Sequence, residues 1–130
     1  MRNVADALLD TSVLIAFAMG EPHSVDEDTL LSGAAVSAVS LAEFRSVLLQ
    51  KAVDADDIDA TIRDFNLKVL PFGAAESQVA GNLIPLARPL GIGLGDCACI
   101  ATGIVTGLPV WTADRDWAKL DVPAKIHLIR

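Results

Sequence analysis

Five short runs suited to buried strands alternate along this chain with longer segments of helical character, and that alternation constrains its fold more than any other feature. The runs are residues 7–9, 34–39, 67–72, 109–112 and 125–129. Between them the pattern predicts a helix from Thr11 through Phe17, closed by Gly20 with Pro22 beyond, and a second over 40–52. Further helices are expected over 55–65, over 74–87 with Pro89 as the stop, over 96–106 with Gly107 as the end, and over 114–120. Leu41, Phe44, Leu48 and Leu49 form the apolar side of the second helix, and Ile58, Ile62 and Phe65 that of the third. Strands that alternate with helices of this length build an α/β fold, a parallel central sheet with helices on both faces. Right-handed crossovers collect the strand C-termini along one edge, and ligands of such sheets lie in the crevice outside it. That edge is where functional residues are expected.

The remaining features bound the class. With 130 residues, one domain spanning 1–130 is expected, and 52% apolar residues against 21% charged are enough for a real core. No apolar run approaches the roughly 18 residues of a membrane span, and the N-terminus MRNVADALLD lacks a signal-peptide layout. Two cysteines, Cys97 and Cys99, are too few for a disulfide scaffold and suit a reducing compartment, so a cytoplasmic protein without membrane association is expected. Seventeen acids against ten bases give a formal charge of −7. Such a surface repels phosphate backbones, which disfavours passive nucleic-acid binding through a basic patch. Nucleic-acid chemistry here would need cations or a few placed arginines.

Four acids fall at strand-to-helix junctions: Asp10, Glu43, Asp96 and Asp114, with Asp116 two residues after the last. Each has an ordinary explanation as a helix cap. Ser40-Leu41-Ala42-Glu43 matches a capping box, and Asp10, Asp96 and Asp114 suit N-caps or the positive end of a helix dipole. Jointly they suggest more. Carboxylates converging on one crevice raise one another's pKa, and the remedies are protonation, basic partners or bound cations. Arg45 and Arg115 are the only bases close by in sequence, too few for four or five acids. An all-oxygen set without His or Cys points to Mg²⁺ or Mn²⁺ rather than zinc. One or two such ions suit phosphodiester hydrolysis.

At Leu8-Leu9-Asp10-Thr11-Ser12-Val13-Leu14-Ile15, Ser37-Ala38-Val39-Ser40-Leu41-Ala42-Glu43, Leu94-Gly95-Asp96-Cys97 and Thr112-Ala113-Asp114-Arg115-Asp116-Trp117 the chain resembles the PIN-domain family, and most closely the VapC-type toxins of bacterial toxin–antitoxin pairs. The four motifs stand in the family's order and span nearly the whole chain. The resemblance implies a single PIN-like domain and a metal-dependent endoribonuclease that inhibits translation when freed from a cognate antitoxin. It implies metal-site and catalytic roles for Asp10, Glu43 and Asp96, and for Asp114 or Asp116 as the fourth acid. Asp114 is favoured because it directly follows the strand. Thr11, Ser12 and Thr112 are implied as supporting hydroxyls that orient the carboxylates. Hydrolysis through metal-activated water is expected to leave a 5′-phosphate and a 3′-hydroxyl. The resemblance also implies an RNA substrate, with tRNA or ribosomal RNA ahead of messenger RNA, and a homodimer.

Other features read as structural. His23 and His127 are isolated, and Cys97 and Cys99 point about 200° apart on a helix, as buried structural cysteines would. Gly91-x-Gly93-x-Gly95 lacks the preceding strand of a dinucleotide fingerprint and reads as a flexible connection between helices, with close backbone approach to a substrate the alternative. Residues 54–59 read as a solvated helix start, and Trp111 and Trp117 as packing residues, with base stacking the alternative for Trp117. Two rival functions remain to weigh. A receiver-type signalling domain fails for want of an Asp ending the third strand and a Lys ending the fifth. A catalytically silent binding module is opposed by the full set of acids.

Overall fold

The computed structural model describes residues 5–130; the first four residues of the N-terminal segment considered above lie outside the described residues. Five strands, β1 (Ala7–Leu9), β2 (Ala34–Ser37), β3 (Lys68–Leu70), β4 (Val110–Thr112) and β5 (Ile126–Leu128), form one sheet in the order β3-β2-β1-β4-β5. Every pairing is parallel, as the alternation requires. The helices are α1 (Thr11–Met19), α2 (Glu27–Leu31), α3 (Ala38–Gln50), α4 (Ala55–Phe65), α5 (Ala74–Ala87) and α6 (Leu94–Thr106). Arg88–Leu90 and Arg115–Lys119 form short 3₁₀ helices.

The strands feed two cores, one on each face of the sheet. Ala7, Leu9, Ala34 and Val36 face a cluster with Val13, Leu14 and Phe17 of α1, Phe44 and Leu48 of α3 and Ile58 of α4. Leu8, Ala35 and Val110 face the other, with Ala80 and Leu83 of α5, Ile100 of α6 and Trp117. This is the period-two alternation of strands covered on both sides. Gly103 lets α6 lie close on β4, for a Cβ there would collide with Val110 Cγ2. No helix among the described residues is long and apolar enough to cross a membrane.

Two helix starts differ from the sequence expectation in ways that matter for function. Helix α3 begins at Ala38, with the Ser37 hydroxyl accepting from Val39 N at 3.2 Å. Ser40 is therefore buried inside the helix, the Ser40–Glu43 capping box does not form, and Glu43 is released for another role. Helix α6 begins at Leu94 rather than Asp96, so Asp96 occupies its first turn. The Gly91–Gly95 segment is correspondingly a turn and helix start, with Gly91 at φ +74°. Helix α2, unforeseen from the sequence, has five residues and no buried side chain, too short for periodicity to reveal; the Asp26 carboxylate starts it by accepting from Thr29 N.

Candidate functional site

Strand order reverses at β1: the chain runs outward through β2 and β3, then returns to β4 on the other side. The crevice at the C-terminal ends of β1 and β4 is the switch point at which open α/β sheets hold ligands. Asp10 ends β1, and Thr112 and Asp114 follow the end of β4. A pocket of about 330 Å³ opens here, lined by Asp10, Thr11, Ser12, Glu21, Glu43, Asp96 and Asp114 among others. Among the described residues its lining includes five carboxylates and no basic side chain.

Asp10 is the anchor. It is buried, and its Oδ2 accepts from Ser12 Oγ at 2.6 Å, from Thr112 Oγ1 at 3.0 Å and from Ser12 N at 3.4 Å. Both hydroxyls are themselves oriented: Ala113 N donates to Ser12 Oγ at 2.9 Å and Asp114 N to Thr112 Oγ1 at 3.1 Å. Two relays thus tie the backbone after β4 to the carboxylate after β1, and fix Asp114 relative to Asp10. Asp114 Oδ1 caps the following 3₁₀ helix by accepting from Asp116 N at 2.9 Å. Asp96 Oδ2 reaches back to Gly93 N at 3.3 Å across the first turn of α6. Glu43 Oε1 accepts from Thr11 Oγ1 at 3.4 Å, and Thr11 Oγ1 also lies 3.0 Å from Ser40 O.

Capping and site chemistry turn out to be compatible. In each of the four acids the hydrogen bonds use one carboxylate oxygen, leaving Asp10 Oδ1, Asp96 Oδ1, Asp114 Oδ2 and Glu43 Oε2 without a hydrogen-bond donor among the described residues. Burial pushes the Asp10 carboxyl up from 3.8 to about 6, helped by the Asp96 charge and opposed by Ser12 and Thr112. Burial also raises Glu43, with the charges of Asp96 and Asp10 adding to it. Asp96 is raised by burial and by Asp114, against the Gly93 N–H. The acids feel one another, yet they do not form a ready-made cage. Among the described residues no three His, Cys, Asp or Glu are grouped as a metal-holding cluster.

A scan against protein families matches the PIN domain over residues 7–123. The chain belongs to the PIN-domain family. A comparison with curated proteins finds no match. Among solved structures, the DNA-bound VapBC from Salmonella typhimurium aligns with a TM-score of 0.77 at 18% identity, over 98% of this chain and 100% of that one. VapBC2 from Rickettsia felis, bound to a promoter DNA fragment, gives 0.74 at 16% identity, over 94% and 97%. VapBC-5 from Mycobacterium tuberculosis, a member of a family of toxin–antitoxin systems, gives 0.63 at 29% identity, over 96% and 98%. This PIN fold thus extends over almost the full length of each.

The PIN fold of this chain brings together Asp10, Thr11, Ser12, Glu43, Asp96 and Asp114 around the pocket, with Thr112 directly behind Asp10. Asp116 is not in the lining; its carboxylate pairs with Lys119 Nζ at 2.9 Å. Neither nearby arginine lines the pocket either, and Arg45 is paired with Asp59 on α4. Trp117 is fully buried, which removes the base-stacking alternative. His23 bonds Glu27 at 2.8 Å, and His127 stacks on Trp111 at a second, mainly apolar pocket by the N-terminal ends of β1 and β4. Both cysteines are free and buried.

Glu21 in the lining and Gly95 beside it were not singled out as site residues in the sequence. Glu21 follows the Gly20 that ends α1, and nothing local marks it. Gly95 matters through what it lacks, because a Cβ there would stand 2.5 Å from Glu43 Oε2. The Gly-Asp pair at 95–96 was the available signal, but its meaning depends on a side chain 52 positions earlier.

Proposed function

We propose that this chain is a divalent-metal-dependent endoribonuclease of VapC type, the toxin of a toxin–antitoxin pair. The observation that carries the reading is the pocket at the switch point, with four acids from four separate segments, each keeping one oxygen free of donors, and no base in the lining among the described residues. The similarity to VapBC structures supports the toxin class. Hard oxygen donors without His or Cys fit Mg²⁺ or Mn²⁺, and carboxyl groups held above their ordinary pKa are what a divalent cation would relieve. Asp10, Glu43, Asp96 and Asp114 are the residues that would hold it.

When bound, Mg²⁺ or Mn²⁺ supplies Lewis acidity, offsetting phosphodiester charge and making water acidic enough to attack at neutral pH. The chain's own groups do the positioning. Ser12 and Thr112 hold Asp10 by one oxygen and keep the other toward the pocket. Thr11 steadies Glu43, and Gly95 lets that carboxylate approach the first turn of α6. Attack by water, rather than by the ribose 2′-hydroxyl, leaves 5′-phosphate and 3′-hydroxyl ends. A cognate antitoxin is expected to offer a basic segment to the acidic pocket. The RNA substrate is expected to be tRNA or ribosomal RNA.

The test is cleavage of total bacterial RNA by the purified protein with Mg²⁺ or Mn²⁺, with EDTA and an Asp10→Asn/Asp96→Asn variant as controls, followed by sequencing of the new ends. Metal-dependent cuts with 5′-phosphates, absent from both controls, are expected. Ends bearing 2′,3′-cyclic phosphate would overturn the mechanism, and cutting unaffected by the substitutions would overturn the site.

Gly95→Ala tests the approach of Glu43. The added methyl meets only the end of a flexible side chain, so the melting temperature will hold or rise, since Ala is the better helix former. Displacing the carboxylate will weaken Mn²⁺ binding in titration calorimetry and lower cleavage, by about tenfold to a hundredfold. Unchanged binding and cleavage would show that this approach is immaterial.

A further inference from the structure

A second concavity adjoins the acidic pocket and has the opposite character. It is a groove of about 480 Å³ between Val39 of α3, Phe72, Gly81 of α5 and Leu94, Gly95 and Ala98 of α6, with no charged side chain in its lining among the described residues. Gly95 belongs to both sites: it lines the groove, and its α-carbon abuts the Glu43 carboxylate. The groove therefore begins where the carboxylates end. Leu94 on its rim is 62% exposed, a large apolar side chain that folding leaves in water. On the far side of Leu94 a smaller pocket is lined by Arg88, Gly91 and Gly93. Arg88 is exposed, and its side chain makes no hydrogen bond or ion pair among the described residues, unlike those of Arg45, Lys119 and Arg130.

We infer that the groove is a nucleobase subsite for the nucleotide next to the scissile phosphate, with Arg88 meeting the phosphate beyond it. The inference rests on the ribonuclease reading. A strand whose phosphodiester sits among the acids must send its neighbouring base to one side, and an uncharged apolar groove with an aromatic wall at Phe72 is the kind of surface that takes a base. The succession of carboxylate pocket, apolar groove and free cation matches a strand in which a base branches from the sugar between two successive phosphates. In a chain of net charge −7, an unpaired arginine at the end of that path is the element that favours RNA there over another acidic surface. A base enters such a groove only when unpaired, so the cut lies in a loop or single-stranded segment.

Gly81→Leu tests this. Nothing lies within 4 Å of a Cβ at Gly81, and leucine suits a helix, so the variant fills the groove without burdening the fold. On a pool of random single-stranded RNA with Mn²⁺, the wild-type protein will show a base preference beside the cut. Gly81→Leu will lose that preference and about tenfold in kcat/KM, with its melting temperature maintained. Arg88→Ala will reduce the salt dependence of binding by about one phosphate contact. A 4-thiouridine oligonucleotide, irradiated on the Asp10→Asn protein, will cross-link to peptides carrying Phe72 or Leu94. Cleavage with unchanged preference and kcat/KM in Gly81→Leu overturns the subsite and leaves the ribonuclease reading standing. The same result joined to a shift from dimer to monomer in sedimentation assigns the groove to a second copy of the chain. A wild-type protein that cuts no RNA overturns the ribonuclease reading and the subsite with it.

Discussion

Asp10→Asn will stabilise the metal-free protein above pH 6 while abolishing metal-dependent cleavage. The folded protein holds the Asp10 proton more tightly than the unfolded chain, with the pKa raised from 3.8 to about 6, chiefly by burial. Between those values the folded state carries more protons, so its stability falls as pH rises and levels off above about pH 6. At about 1.4 kcal/mol per tenfold change in proton affinity, the loss is at most about 3 kcal/mol. Glu43 and Asp96, also raised, contribute in the same direction. Asn carries no charge to desolvate, caps α1 about as well as Asp, and still accepts from Ser12 and Thr112 through its carbonyl oxygen. Melting curves of EDTA-treated protein from pH 4 to 8 check this. The wild-type melting temperature should decline across that range and that of the variant should decline less, the two crossing on the acid side. A variant less stable than wild type at pH 7 would mean that the caps and hydroxyl bonds outweigh the charge.

Trp117→Ala will cost about 3–5 kcal/mol, the range for emptying a fully buried large side chain. The indole fills the core between the sheet and the 3₁₀ helix that Asp114 caps. Its removal therefore loosens the segment that carries the fourth acid as well as the core. A fall in melting temperature of about 10 °C or more is expected, with cleavage lost even at temperatures where the variant remains folded. Trp117→Phe separates volume from polarity. The indole Nε1 has no hydrogen-bond partner among the described groups, so replacement by Phe forfeits no bond and should cost far less than replacement by Ala. Equal losses in the two variants would point to a polar role for the indole that its surroundings do not suggest.

The acids themselves were legible because strand ends and helix starts are local patterns. Asp10 closes an apolar triplet and is followed by Thr11 and Ser12, and Asp114 follows Thr112 in the same way. Glu43 was legible as an acid near a helix start but for the wrong reason. Two serines three residues apart, Ser37 and Ser40, both fit the cap, and only the burial of Ser40 against the core decides for Ser37. Asp114 was favoured over Asp116 for its place directly after the strand, and the 3₁₀ geometry separates them by turning Asp116 toward Lys119. The glycine-rich segment looked flexible because glycine signals freedom in isolation, whereas at Gly95 it serves closeness to a carboxylate.

The sequence by itself determined the alternation of strand and helix, the parallel sheet it enforces and the presence of acids at the strand ends, since each follows from patterns a few residues long. Only the tertiary structure decided which acids share a pocket and how their free oxygens are kept available. That outcome depends on crossovers that bring residues 10–12 beside residues 112–114 at the point where strand order reverses. Contacts between segments about a hundred positions apart come from packing the two faces of the sheet, which no local pattern encodes.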